Sequence, residues 1–167
     1  MTGEQNIQSM RSKIIKIIAY YFILKFLMGN KVSIRKIGFE DVKYLLNKGN
    51  RFIIINTLDE KDQNCLIKGT VSPSEEVSII NKAITHPTLY IVIYGKNNTD
   101  ESIYRKYEKL LSLGFNNIFV YPGGIFEWLC LQDIYGEKEF PTTTKELDIL
   151  KYKPLPVINT LLLTDID

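Results

Sequence analysis

A short apolar run followed by a polar loop is the part of this sequence where binding chemistry can be built. Residues 89–94 are apolar and mostly β-branched or aromatic, which predicts a strand buried on both faces. The loop Gly95–Thr99 comes next, and a helix with Ile103, Tyr107, Leu110 and Leu111 on one face follows it. A loop at the carboxyl end of a strand, facing a helix N-terminus, favours anions because backbone N–H groups and the helix dipole attract negative charge.

The loop offers backbone amides but no nucleophile. Lys96 is its one cation and could hold a small anion together with the amides. Asn98 and Glu101 have the spacing of a capping box, so we expect Asn98 or Thr99 to cap the helix. Asp100 and Glu101 suit the helix dipole, and they compete for the place that a bound anion would take. The full set of loop residues is Gly95, Lys96, Asn97, Asn98, Thr99 and Asp100.

Three side chains elsewhere carry reactive groups. Cys65 is the candidate nucleophile outside the loop, although no His or Lys adjoins it in sequence to lower the pKa of its thiol. Most free cysteines are small buried hydrophobes, and Cys130, between two leucines of an apolar helix, is expected to be one. His86 is the only histidine, so one chain cannot build a histidine cluster, and we expect it to be a structural or solvated loop residue.

The composition is that of an ordinary globular domain. The chain has 167 residues, of which 45% are hydrophobic and 24% charged, enough for one domain with its own core. A net charge of +2 is too balanced to predict a nucleic-acid partner. The two cysteines lack the spacing of a metal site or a disulfide framework, so we expect no metal, no cofactor and a reducing intracellular compartment.

Strand and helix patterns alternate along the chain, which predicts an α/β fold with a mostly parallel central sheet and helices on both faces. Ser72 and Glu75 have the spacing of a capping box, and the helix that they start is expected to bury Val77, Ile80 and Ile84. The predicted strands are an edge strand at 32–37, a buried strand at 52–55, the strand at 89–94, a strand at 117–120 and a short strand within 65–71.

The N-terminal region contains a further apolar element. Residues 13–28 predict a helix, but its longest uncharged run, 17–24, is shorter than the ~20 residues that span a bilayer. No small-residue cleavage site follows, so we do not expect a signal peptide. Three interpretations remain: a helix packed on the domain, a helix that binds a partner or a second copy, and an anchor on an anionic membrane surface. The binding face would consist of Ile14, Ile17, Ile18, Tyr21, Leu24 and Met28.

Three further segments carry a family pattern. Residues 65–70 read Cys-Leu-Ile-Lys-Gly-Thr, residues 113–118 read Leu-Gly-Phe-Asn-Asn-Ile, and residues 121–128 read Tyr-Pro-Gly-Gly-Ile-Phe-Glu-Trp. With the strand at 89–94, they resemble the rhodanese-like (sulfurtransferase) domain family over residues 32–136. The stretch after Trp128 is similar to a subgroup from protists and large DNA viruses. If the chain is viral, this finer likeness implies the host cytoplasm or the virion as its location.

The resemblance also implies which residues would do chemistry. In active members, the loop after the central strand begins with a cysteine and continues to a glycine and an arginine. The thiolate takes up a sulfane sulfur as a persulfide, which the loop amides and the helix dipole stabilise. This chain has Gly95, Asn98 and Asp100 at those positions, and it has Asn56 and Leu58 where an acidic residue and an arginine are usual. The family fold is therefore expected without its usual catalysis.

These observations give one leading hypothesis and two alternatives. We expect a polar N-terminus and apolar helix at 1–30, a rhodanese-like domain at 31–138 and an irregular tail at 139–167 draped over it. The leading hypothesis is a catalytically inactive module that contacts a protein partner, a second copy or a membrane surface through residues 13–28 or through its C-terminal tail. The alternatives are a sulfur- or thiol-transfer enzyme that uses Cys65, and a small-anion sensor at the Gly95–Thr99 loop.

Overall fold

Three parallel strands form the sheet of the computed structural model, which describes residues 33–49, 52–84 and 88–157. The strands are β1 (Phe52–Asn56), β2 (Tyr90–Tyr94) and β3 (Ile118–Tyr121), with β2 between the other two. Phe52 lies opposite Tyr90 in the β1–β2 pair, and Ile91 lies opposite Ile118 in the β2–β3 pair. Because the strands are parallel, their carboxyl ends meet at one edge of the sheet, and the loop after β2 lies at the centre of that edge.

Four α-helices and two short 3-10 helices complete the described part of the chain. The α-helices are α1 (Phe39–Lys48), α2 (Pro73–Ala83), α3 (Ser102–Ser112) and α4 (Gly124–Tyr135). The 3-10 helices are Glu60–Asp62 and Ile149–Tyr152. Of the face predicted for α3, Ile103, Tyr107 and Leu110 are buried, and Leu111 is partly buried at its edge.

Hydrophobic clusters cover both faces of the sheet. Adjacent strand residues such as Ile54 and Ile55 point to opposite faces, as the pleat requires. One cluster joins the sheet to α1 and α4 and includes Val42, Ile54, Val92, Tyr94, Ile125 and Trp128. The other joins the sheet to α2 and α3 and includes Ile55, Ile80, Ile93, Ile103, Tyr107 and Val120. The predicted α/β fold, a parallel sheet with helices on both faces, is confirmed.

Two of the predicted strands are reduced to isolated pairing positions. In the segment predicted as an edge strand at 32–37, Lys36 alone is paired, with Val120, and the chain then enters α1 at Gly38. Residue 32 lies outside the described residues. In the segment 65–71, Ile67 and Thr70 each form one bridge, to different partners. Neither segment pairs with one neighbouring strand over several residues, so neither forms a β-ladder. Both strand predictions were therefore wrong in length.

The buried face of α2 was predicted wrongly. Val77 is 69% exposed and Ile84 is 48% exposed, whereas Ile80 and Ala83 are buried. The helix presents the i, i+3 pair of Ile80 and Ala83 to the sheet, since a small side chain at position 83 allows close approach. The capping box is also absent: Ser72 precedes the helix as expected, but its Oγ lies 2.8 Å from the Oγ of Ser74 and makes no capping bond to the backbone.

The C-terminal segment, residues 139–157, packs along the domain. Thr142 pairs antiparallel with Ile67, and the backbone N–H of Lys68 donates to the carbonyl oxygen of Pro141 at 3.0 Å. Trp128 donates its indole N–H to the same Pro141 oxygen at 3.2 Å. These bonds attach the segment to α4 and to the region after β1, close to the carboxyl edge of the sheet.

The apolar N-terminal helix predicted at residues 13–28 lies outside the described residues. Among the residues that are described, no helix is long and apolar enough to cross a membrane.

Candidate functional site

The carboxylate of Asp100 folds back into the loop after β2, which we call the site loop (residues 95–101). One carboxylate oxygen, Oδ2, accepts the backbone N–H of Lys96 at 2.9 Å. The other, Oδ1, accepts the N–H of Ser102 at 3.0 Å and lies 2.6 Å from its hydroxyl oxygen. The N-cap position of α3 is Glu101, with no side-chain cap, so the predicted Asn98–Glu101 capping box was wrong, and it is Asp100 that accepts the first N–H of the helix. A negative charge of the protein itself is thus bound by the amides of Lys96 and Ser102.

Gly95 has no room for a side chain in this arrangement. A Cβ at this position would lie 2.4 Å from Asp100 Oδ2 and 2.9 Å from the Cγ2 methyl of Ile103. Contacts this short are repulsive, and Ile103 is fully buried. The space into which a side chain at position 95 would point is therefore occupied by the Asp100 carboxylate.

The start of α4 holds the opposite side of the site loop. The N–H groups of Ile125 and Phe126 donate to the carbonyl oxygens of Gly95 and Lys96, both at 2.9 Å. Gly124 adopts a φ of +63°, and a Cβ there would lie only 2.5 Å from the carbonyl oxygen of Gly95. Gly124, the second glycine of the sequence motif, therefore allows two backbone segments to touch, and the site loop is fixed from both sides.

Asn97 ties the site loop to the C-terminal segment. Its side-chain oxygen accepts the N–H of Thr99 at 3.0 Å and the hydroxyl of Thr99 at 2.7 Å. Its side-chain nitrogen donates to the carbonyl oxygen of Tyr152 at 2.7 Å. The Asn-Asn-Thr sequence could have indicated the local turn. The bond to Tyr152 spans 55 positions of the chain, and no local sequence signal identifies it.

Lys96, the one cation of the loop, is paired with carboxylates. Its Nζ lies 2.6 Å from Asp59 Oδ2 and 3.3 Å from Asp62 Oδ2. The hydrogen bond to Lys96 lowers the pKa of the Asp59 carboxyl, and the same bond is the main cause of the raised pKa of the Lys96 ammonium. The positive charge that could have attracted an anion to the site loop is therefore balanced locally.

Asn56 ends β1 in a neutral amide pair. Its Nδ2 donates to Gln63 Oε1 at 3.0 Å, and Gln63 Nε2 donates back to Asn56 Oδ1 at 2.8 Å. Asn56 Oδ1 also accepts the N–H of Leu58 at 3.0 Å. The sequence analysis identified Asn56 and Leu58 as departures from the family pattern but missed Gln63. The pairing of Gln63 with Asn56 depends on the turn between these two residues.

The two cysteines lie in different surroundings. Cys65 is 1% exposed, and its Sγ donates to the carbonyl oxygen of Thr144 at 3.2 Å. Cys130 is only partly buried on α4. Burial raises the pKa of both thiols above its ordinary value, which lowers the fraction of reactive thiolate at neutral pH.

This difference predicts the order in which the thiols react. With a disulfide reagent at mildly alkaline pH, Cys130 should react before Cys65. Cys65 in the native protein should react at least about tenfold more slowly than Cys65 in denaturant, because access to its thiol requires local opening. Rates should keep rising with pH above the usual thiol range, since the raised pKa delays thiolate formation. Single variants, Cys65→Ser and Cys130→Ser, assign each phase. A Cys65 that reacts equally fast in native and denatured protein would contradict the burial.

Two of the predicted features lie outside the described residues: His86 and the predicted binding face, Ile14 to Met28. Among residues 33–49, 52–84 and 88–157, no group of three or more His, Cys, Asp or Glu side chains could hold a metal ion.

Comparison of the sequence with protein-family models and with curated proteins finds no match. Solved structures do match. A full-length protein from Lactobacillus plantarum is 17% identical, with 81% of this chain and 99% of that chain covered at a TM-score of 0.51. The rhodanese-like domain of the Alr3790 protein from Anabaena is 23% identical, with 73% and 86% covered, at 0.46. The single-domain sulfurtransferase RDL2 from Saccharomyces cerevisiae is 16% identical, with 64% and 97% covered, at 0.48. At these identities the likeness concerns the fold.

Proposed function

We propose that this chain is a rhodanese-like domain without sulfurtransferase activity that acts as a protein-interaction or structural module. The observation that carries the proposal is the Asp100 carboxylate inside the site loop. Persulfide chemistry needs a thiolate at the start of this loop and free amides to stabilise it. Here Gly95 takes the first position, and the Lys96 and Ser102 amides are used by Asp100.

The charge around the site loop supports the same proposal. A substrate such as thiosulfate is an anion and would approach the carboxylate of Asp100. Lys96 cannot offset that repulsion, since Asp59 and Asp62 already surround its ammonium group. Opposite charges favour anion binding and like charges oppose it, so the site loop disfavours this class of substrate.

The geometry of Cys65 gives the enzyme alternative little support. The thiol is buried, its hydrogen bond goes to Thr144 in the C-terminal segment, and its pKa is raised. A nucleophilic cysteine is usually accessible and has a lowered pKa. We therefore assign Cys65 a packing role beneath the C-terminal segment.

The activity test uses thiosulfate and cyanide as substrates and thiocyanate as the measured product. We expect the purified full chain to form no thiocyanate above the uncatalysed rate, and Cys65→Ser to behave identically, because neither site loop nor Cys65 presents an accessible thiolate. An active rhodanese serves as the positive control. Activity in the natural protein that disappears in Cys65→Ser would overturn the proposal and place the site at Cys65.

The interaction half of the proposal depends on residues 13–28. The sequence predicts an apolar helix there, and such a helix is stabilised when a protein partner, a second copy or a membrane surface covers its apolar face. We expect the full chain to self-associate or to bind partners and vesicles in sedimentation experiments, and the chain without residues 1–28 to lose that property. Replacement of residues 95–100 should leave this association intact. Loss of association on replacing residues 95–100, with none on deleting residues 1–28, would argue for a function at the site loop.

A further inference from the structure

A polar cavity of about 420 Å³ lies on the α2–α3 side of the sheet edge. The end of β1, the first turns of α2 and one side of α3 form its walls. Its position differs from that of the site loop, which Asp100 occupies. The residues that line it are Asn56, Thr57, Leu58, Gln63, Pro73, Glu76, Ser102, Arg105, Lys106 and Lys109.

Three cations project from α3 into the lining of this cavity. Arg105, Lys106 and Lys109 lie at i, i+1 and i+4, and Lys106 pairs with Glu76 at 2.5 Å. Among the described residues, Arg105 and Lys109 form no salt bridge, and both are exposed. With Glu76 as the only carboxylate in the lining, the cavity has two more positive than negative side chains.

Arg105 and Lys109 bring two like charges to one side of this cavity. Arg105 and Lys109 are four residues apart on one helix, where like charges repel. A bound dianion would turn this repulsion into two attractions, and the guanidinium group matches the geometry of phosphate oxygens. The hydroxyl of Thr57 adds a polar group at the inner end, where the hydroxyl of Ser102 is already bonded to Thr57 and to Asp100, each at 2.6 Å. The volume is in the range of small-molecule sites, ~300–1,000 Å³.

We propose that this cavity binds a small molecule through a phosphate group, with Arg105 and Lys109 as its two ligands. The Lys106–Glu76 pair holds α3 against α2 and keeps the cavity open between them. This site does not depend on whether the chain is an enzyme, because none of its charged residues belongs to the site loop. It would make the domain responsive to a phosphorylated metabolite while the site loop stays closed by Asp100.

The test follows backbone amide signals of the full chain during a titration with inorganic phosphate, at ionic strength held constant with chloride. We expect saturable shifts that include Ser102 and Arg105. Arg105→Gln combined with Lys109→Gln should weaken binding by at least about tenfold, because two charge-assisted bonds are lost. The matched control is Lys138→Gln with Lys153→Gln, which removes the same charge from exposed positions outside the cavity and should change the dissociation constant less than about twofold.

Three results would overturn the proposal: shifts that never saturate, equal weakening in both double variants, or an equal response to acetate. Thermal unfolding of both double variants should agree with the natural protein to within a few degrees. That agreement makes lost binding attributable to the cavity and not to the fold. Thr57→Val provides a second, charge-neutral variant, and we expect it to weaken phosphate binding by a few fold through loss of one hydroxyl.

Discussion

Gly124→Ala should lower the free energy of unfolding by more than about 3 kcal/mol, the largest effect that we expect from adding one methyl group. Gly124 has a φ of +63°, which costs a residue with a Cβ roughly 1–2 kcal/mol. The added Cβ would also lie 2.5 Å from the Gly95 oxygen and 2.7 Å from the Lys96 carbonyl carbon. Both atoms belong to the backbone of the site loop and cannot rotate away. Denaturant unfolding followed by circular dichroism measures the change.

Gly114→Ala is the matched control for that experiment. Gly114 also has a positive φ, +95°, but no atom lies within 4 Å of the place where a Cβ would be added. This variant should cost only the backbone strain, about 1–2 kcal/mol. The difference between the two variants isolates the contact between α4 and the site loop. If both cost the same, the close approach of Gly124 to Gly95 would be refuted.

Gly95→Cys should destabilise the protein by about 1–3 kcal/mol in the presence of Asp100, and by clearly less in its absence. The new Cβ would lie 2.4 Å from Asp100 Oδ2, and Asp100→Ala removes that oxygen. The single change Asp100→Ala should itself cost about 1 kcal/mol, because the bonds that its carboxylate accepts from the Lys96 and Ser102 amides are lost. In a double-mutant cycle, the two changes together should cost less than their sum by about 1 kcal/mol. The 2.9 Å contact with Ile103 remains, so the rescue should be partial.

The control for this cycle is Asp148→Ala. Asp148 is an exposed aspartate whose side chain makes no capping bond, and it lies far along the chain from the site loop. Combined with Gly95→Cys, it should give an additive result. Equal coupling of Gly95→Cys to Asp148→Ala and to Asp100→Ala would mean that the Asp100 carboxylate does not occupy the space in front of Gly95.

Sequence periodicity correctly predicted the elements in which the buried residues follow one uninterrupted apolar pattern. The β2 strand and the buried side of α3 follow directly from the apolar run at 89–94 and the helical spacing of Ile103, Tyr107 and Leu110. The same reasoning failed for α2, where Val77 and Ile84 are exposed. A short helix with several apolar residues can turn more than one side to a sheet, and only contact with that sheet selects the side.

Both capping predictions failed because another polar group was close enough to compete. Ser102 and Lys96 donate to Asp100, which leaves the predicted Asn98–Glu101 pair without its role. Ser72 interacts with Ser74 in place of the backbone. Sequence spacing identifies groups that are able to cap a helix, but the loop conformation decides among them.

The sequence by itself determined the order of strands, loops and helices, because that order depends on residue type and on short-range periodicity, which local chemistry expresses directly. Its resemblance to the rhodanese-like family also predicted that Gly95 and Asp100 stand where active members have a cysteine and an arginine. Only the tertiary structure decided that the Asp100 carboxylate fills the site loop, that Asn97 is bound to Tyr152, and that Cys65 lies beneath Thr144. These pairings join segments distant in sequence or depend on a particular loop path, so the choice among equally able polar partners is made by packing of the whole domain.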